Sequence, residues 1–186
     1  MPFPGIAFRR APRDSLADLP PLETARLSIR GLVPGDAEAL RRLTDDPAIT
    51  GAVDFLPAPF TLQDAQDLIR GGGRAQDRFL GAWSREAGGA ATLVGVVGAH
   101  LRGPGTIEIG YWVGGAARGR GLAFEAVSAL LALLARRFPA RAAVAECRPG
   151  NVASWGLLHK LGFRDTGEDG HRPGRRVLRL EAAGRG

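Results

Sequence analysis

Thr106–Val113 reads TIEIGYWV, Gly114–Ala123 reads GGAARGRGLA, and Phe124–Phe138 reads FEAVSALLALLARRF. The first piece alternates apolar and polar residues as a strand does. The last carries an apolar stripe at helical spacing that includes Leu122, Ala126, Leu130 and Leu133. Between them lies a turn of interleaved glycine and arginine. A helix start presents unpaired backbone N–H groups and the positive end of the helix dipole. Glycines just ahead of it let a polyphosphate approach the backbone. Arg136 and Arg137 fall at the opposite, negative end, where cations are favoured. The stretch therefore reads as strand, phosphate cradle and helix.

Working outward toward the N-terminus, Arg78 marks a change of period from helical to extended. Phe79–Ser84, Thr92–Leu101 and Thr106–Val113 form an expected antiparallel meander joined by glycine-rich turns. Before it, Thr61 is a good N-cap for LQDAQDLIR, with Asp64 supporting the first turn and Gly71–Gly73 ending it. Asp46–Phe60 holds three prolines and reads as short turns or one short helix. Pro34 and Asp36 open a helix whose Ala37, Leu40 and Leu43 share a face. Thr24–Leu32 alternates as a first strand. Residues 1–21 contain five prolines and read as an arm, poorly ordered or docking.

Toward the C-terminus, Ala142–Cys147 is a short buried strand and Ala153–Leu161 a helix ended by Gly162. Phe163–Thr166 and Arg176–Leu180 are two last strands about a turn. The expected class is mixed α/β (α+β): one domain over 22–182 with a mostly antiparallel central sheet flanked by helices and a single crossover.

Composition narrows the function classes. The 186 residues are 45% hydrophobic and 24% charged, as in an ordinary globular domain. No apolar run is long enough for a bilayer, so no membrane partner is expected, and a cytoplasmic location is. The net charge is +6, but Lys160 is the only lysine. Arginine with abundant Ala, Gly and Pro reads as the coding bias of a GC-rich genome. No basic–aromatic recognition segment accompanies it, so nucleic acid is not an expected partner. A lone cysteine, Cys147, excludes an internal disulfide, and three scattered histidines without ligand spacing give no metal site.

A dinucleotide fingerprint needs a third glycine where Phe124 stands, directly after the first strand of a repeating parallel unit. The motif here comes late, behind an antiparallel meander, and fails on both counts. Arg118-x-x-Gly121-x-Ala123 suits a coenzyme A pyrophosphate instead. The run IGYWVGGAARGRGLAFEAV followed by RPGNVASWGLLHKLGF resembles the GNAT superfamily of acetyl-CoA-dependent N-acetyltransferases. The opening ETARLSIR resembles the first strand of its ribosomal-protein N-terminal-acetyltransferase (RimJ/RimL-type) branch. The resemblance spans about Leu22 to Leu180. It implies strands splayed around acetyl-CoA and transfer of an acetyl group to a primary amine. A protein or peptide N-terminal α-amine is the first-choice acceptor; a small amine (antibiotic or polyamine), or acyl-CoA sensing without catalysis, are the alternatives. A homodimer is left open.

Carried onto these residues, the resemblance assigns Tyr111, Trp112 and Val113 to pairing with the pantetheine arm, with Gly110 permitting a bulge that splays the strand. Arg118, Gly119, Arg120, Gly121, Leu122 and Ala123 would cradle the pyrophosphate, although the same residues suit an ordinary strand-to-helix turn. Asn151 and Ser154 match the family's N-x-x-S. Asn151 would hold the pantetheine arm, and Ser154 would lie near the sulfur and protonate the leaving thiolate. Both residues also suit plain helix capping. Glu108, two residues before Gly110, is the first candidate base, or a surface carboxylate. Glu168 and His171 are reserve candidates, and His171 suits a base near neutrality. His100 and His159 read as surface or strand-end residues. Phe55, Leu56 and Phe60 would wall the acceptor or serve the core. The last turn, GEDGHRPGRR, is short for the branch.

Overall fold

A computed structural model describes residues 14–85 and 90–180. The alternating segment in mid-chain folds as three consecutive antiparallel strands, β3 (Asp77–Ser84), β4 (Thr92–Arg102) and β5 (Thr106–Val113), preceded by β1 (Leu22–Glu23) and β2 (Leu27–Gly31). β6 (Ala142–Cys147), β7 (Phe163–Asp169) and β8 (Arg176–Leu180) complete one eight-stranded sheet in the order β1-β2-β3-β4-β5-β6-β8-β7. Among the described residues only β5 and β6 pair in parallel. The helices are α1 (Ala37–Thr44), α2 (Pro47–Thr50), α3 (Leu62–Gly71), α4 (Leu122–Arg137) and α5 (Val152–Lys160).

Strand alternation sends successive side chains to opposite faces, and each face has its own core. Leu27, Ile29, Val97, Ile107 and Ile109 pack with α4 and with Leu158 of α5. Val96 and Trp112 pack instead with Leu40, Ile49, Phe60 and Ala65 of the early helical segment. α4 buries Leu122, Val127, Leu130, Leu131, Leu133 and Leu134. At about 1.5–3 kcal/mol per fully buried side chain, that burial outweighs any propensity difference along the helix. α3 starts at a reciprocal cap: the Thr61 side chain accepts from the Asp64 N–H, and Asp64 accepts from the Thr61 N–H.

Several expectations are corrected. The first strand does not begin at Thr24: a tight turn, in which the Thr24 N–H donates to the Leu27 carbonyl at 2.9 Å, separates β1 from β2. No bulge occurs at Gly110, because β4 and β5 pair without interruption from Gly95↔Val113 to Arg102↔Thr106. β7 runs three residues past Thr166 to Asp169. His100 is buried rather than exposed, its Nδ1 lying 2.8 Å from Asp77 Oδ1. Burial pushes its pKa down, although the aspartate pulls it back. Of the arm expected over 1–21, residues 1–13 lie outside the described ones. In the remainder Leu16 and Leu19 join the α4-side core, and Asp14 pairs with Arg141.

Candidate active site

β5 and β6 pair at only three positions, Thr106↔Ala142, Ile107↔Ala143 and Glu108↔Val144. Beyond them β5 stays on β4 and β6 stays on β8, so the two strands part. The backbone phase of β5 follows from one bond: the Gly114 N–H donates to the Val94 carbonyl at 3.0 Å. Hydrogen-bonded pairs alternate along an antiparallel ladder, so Trp112 and Gly110 bond back to β4. Tyr111 and Val113 then point their N–H and C=O groups into the opening. This separates the three residues expected to line it. Trp112 is turned away: its backbone faces β4, and its indole Nε1 donates to Thr44 Oγ1 at 3.1 Å in the other core.

At the same end of the sheet lies the glycine–arginine turn. Gly119 and Gly121 have φ of +71° and +75°, which L side chains rarely adopt, and a Cβ at Gly119 would meet nothing within 4 Å. Their conformation, not crowding, is what requires glycine. Gly121 is the N-cap of α4, so the first amides of that helix are free of intrahelical partners. Leu122 is buried, which leaves its backbone for any ligand. Arg118 reaches Asp46 Oδ2 at 3.1 Å. The Arg120 carbonyl accepts from Arg26 Nη1 at 2.8 Å, and Arg26 is paired with Glu125 in the first turn of α4. Glu125 also accepts from Thr24 Oγ1 and the Arg26 N–H, so the start of β2 is strapped to the cradle. Beside the strap an open hollow of about 690 Å³ is lined by Arg26, Gly121, Phe124, Ser128 and Lys160. The Lys160 ammonium sits 4.8 Å from the Phe124 ring centroid.

On the far side of the opening, Asn151 caps α5: its side-chain oxygen accepts from the Ser154 N–H at 3.1 Å. Capping occupies that oxygen and orients the helix. The Ser154 hydroxyl lies 2.7 Å from the Tyr111 hydroxyl, either atom being able to donate. Burial pushes the Tyr111 phenol up to about 12, against the opposing effect of Ser154, so it stays protonated across the physiological range. The buried Cys147 thiol is also in contact with Ser154, and burial pushes its pKa up.

Glu108 lies on the opposite sheet face and is not a free carboxylate. Arg102 Nε donates to its Oε2 at 3.0 Å and Arg172 Nη1 to its Oε1 at 2.7 Å. The same Arg172 nitrogen donates to Glu146 Oε2 at 3.0 Å, bridging β5 and β6 where they part. Glu146 also accepts from the His171 N–H at 2.9 Å and lies 2.8 Å from His171 Nδ1. Burial alone would raise the Glu146 pKa; the bonds from His171 and Arg172 outweigh it and hold the carboxyl below its ordinary value. Gly110, between Glu108 and Trp112 on this face, has open space where a side chain would be. Glu168, the other reserve base, is exposed in β7, with no carboxylate contact to this group among the described residues. Leu56 and Phe60 are buried core residues, whereas Phe55 is half exposed and packs on Phe79 and Trp112.

The residues not anticipated from sequence are Arg26, Glu125, Glu146, Arg172 and the Asp54 pairings with Arg148 and Arg175. Most of these contacts join residues from 25 to 121 positions apart, and an arginine-rich sequence offers no local signal for which pairs form.

Residues 26–164 match the sequence model of the family described as acetyltransferase (GNAT) domain. Among solved structures, an acetyltransferase (GNAT family) from Bacillus anthracis superposes with a TM-score of 0.74 at 23% identity, over 86% of this chain and 97% of that one. RimL, described as a ribosomal L7/L12 alpha-N-protein acetyltransferase in complex with coenzyme A, gives 0.72 at 19% identity, over 84% and 94%. The microcin C7 self-immunity acetyltransferase MccE, in complex with acetyl-CoA and AMP, gives 0.72 at 17%, over 84% and 92%.

Proposed function

The chain belongs to the GNAT acetyltransferase family, and on that premise we propose that it transfers the acetyl group of acetyl-CoA directly to a protein or peptide N-terminal α-amine within a ternary complex. The observation that carries the acetyl-CoA reading is the parting of β5 from β6 next to two left-handed glycines at a helix start. An extended arm can pair with the Tyr111 and Val113 backbone in that opening while a pyrophosphate meets the amides of residues 119–123. Arg118 and Arg120 add positive charge. Acetyl-CoA, when bound, supplies a thioester whose carbonyl carbon is the electrophile.

The protein's share of the reaction is positioning and proton handling. A Val113 or Tyr111 N–H aimed into the opening stabilises negative charge growing on the carbonyl oxygen, worth about 2.7–4 kcal/mol where such donors have been removed elsewhere. Ser154, backed by the Tyr111 phenol, donates the proton that the departing sulfur takes up. Asn151 contributes by fixing the first turn of α5, which carries Ser154.

The α-amine acceptor is favoured by chemistry as well as by the branch resemblance and by the likeness to RimL, a ribosomal L7/L12 alpha-N-protein acetyltransferase. With reference pKa values near 8 and 10.4, roughly a tenth of an α-amine but well under a thousandth of a lysine amine is neutral at pH 7. Both carboxylate oxygens of Glu108 are already taken by guanidinium groups, and an α-amine asks little of a base.

Thermal melting with acetyl-CoA and with NAD tests the first part: a rise with acetyl-CoA alone is expected, and no rise with acetyl-CoA would overturn it. Thiol release with peptides starting in Ser or Ala, compared with polyamines and aminoglycosides, tests the acceptor. Faster turnover of the small amines would replace the peptide reading.

A further inference from the structure

We propose that His171, oriented by Glu146, is the general base that removes the proton from the acceptor ammonium. This rests on the acetyl-transfer reading above and adds to it the residue that readies the nucleophile.

The geometry is that of a carboxylate–imidazole pair. His171 Nδ1 lies 2.8 Å from Glu146 Oε1, with relative side-chain exposures of 95% and 5%. The backbone N–H of His171 donates to the same oxygen at 2.9 Å, so the residue is tethered to the carboxylate at two points, one of them on the ring. An ionised carboxylate accepts only, so Nδ1 carries the hydrogen, and in the neutral imidazole Nε2 then holds the lone pair. The turn can lie this close because residue 170 is glycine: a Cβ there would stand 2.9 Å from the Glu146 carboxyl carbon.

Glu146 lies two positions past Val144, the last residue at which β6 pairs with β5, on the Glu108 face of the sheet and so across from the Cys147 thiol and Ser154. The pair therefore borders the opening on the face away from Ser154, the side left for an acceptor. Arg172, the next residue after His171, reaches both Glu108 and Glu146 and so anchors the turn over the parting of β5 and β6. Gly110 keeps space open on this face. The charged groups around the imidazole are Glu146 on β6, Arg172 and Arg175 in its own turn, Glu108 on β5 through Arg172, and Asp54 through Arg175.

In the reaction, Nε2 takes one proton from the acceptor ammonium, and the freed lone pair attacks the thioester carbon. The C–N bond forms and the C–S bond breaks. A second nitrogen proton is lost as the sulfur leaves as a thiol by way of Ser154, and the imidazolium returns its proton to solvent.

His171→Ala should lower kcat/KM for an α-amine peptide by about 10-fold at pH 7, where roughly a tenth of the amine is already neutral, and the loss should shrink as the pH rises. The melting shift with acetyl-CoA should not change. Added imidazole should restore activity several-fold, because the vacated site is open to solvent. Glu146→Gln should lower kcat/KM in the same direction while leaving the acetyl-CoA melting shift in place, since the imidazole loses the carboxylate that orients it. Activity of His171→Ala within twofold of the unaltered enzyme across the pH range, or a loss that imidazole leaves untouched, would overturn the assignment. An unaltered enzyme that shows no melting shift with acetyl-CoA removes the acetyl-transfer reading and this assignment together, an outcome distinct from the other two.

Discussion

The hydroxyls of Tyr111 and Ser154 lie 2.7 Å apart, one on β5 and the other in the first turn of α5. They join the two elements at the opening between β5 and β6, and in the proposed reaction they share one proton-donating task. Removing either should cost much of what removing both costs. Ser154→Ala and Tyr111→Phe should each lower kcat by roughly 10–100-fold with unchanged acetyl-CoA binding, and the double variant should fall well short of the product. Steady-state rates of the three variants check this; strict multiplicativity would show that the hydroxyls act separately.

Gly121 caps α4 at a φ of +75°. A β-branched side chain there is strained by about 1–3 kcal/mol and turns the first α4 amides away from the cradle. Gly121→Val should abolish the acetyl-CoA melting shift while lowering the unliganded Tm by several degrees. A retained shift would mean that the turn only connects strand to helix.

Glu146 has a lowered folded-state pKa, so its stabilising effect is complete above the ordinary carboxylate value of about 4.3 and is lost as pH falls through the lower folded value. The unfolded chain binds the proton first, which fixes the sign: stability declines on acidification. Urea unfolding between pH 6 and 3 should show a shallower decline for Glu146→Gln than for the unaltered protein. An equal slope would assign the acid sensitivity to other carboxylates, such as Asp36 or Asp54, whose values are also lowered.

The Trp112 indole N–H has its partner in Thr44, which is fully buried. Thr44→Val preserves shape but strands that donor, at a cost of about 1–3 kcal/mol. Because Trp112 is turned from the opening, acetyl-CoA affinity should be unchanged. Urea midpoints and a binding titration test the two halves; a large loss of affinity would put Trp112 in the cofactor site after all.

The strand, the glycine turn and the two helix starts proposed to hold the cofactor were legible because their signals are local. The period change near Arg78, the two glycines before an apolar-striped helix and the Asn151–Ser154 spacing each lie within a few residues, and each has a direct backbone consequence. The facing of Glu108 was also readable, since alternation along TIEIGYWV places it with Gly110 and Trp112, away from Tyr111. What Glu108 touches was not. Its partner Arg172 comes from a turn 64 positions away, and the choice among many arginines is made by packing of the whole sheet. The cause of the parting was misplaced for a similar reason. A glycine in a strand suggests a bulge, yet β4 and β5 remain in register, and β5 and β6 separate past Glu108↔Val144 while each keeps its other neighbour. ETARLSIR alternates well enough to hide the tight turn at Thr24.

The three-position join between β5 and β6 has a mechanical meaning. It divides the sheet into a leaf of five strands and a leaf of three, with little ladder to hold their ends together. Anything bonded to Tyr111 and Val113 on one side and to α5 on the other acts as a rivet through both leaves. Amide exchange in β6–β8 should then slow when acetyl-CoA is added, even at positions that it never touches, because the smaller leaf gains its second fastening from the substrate it helps to consume.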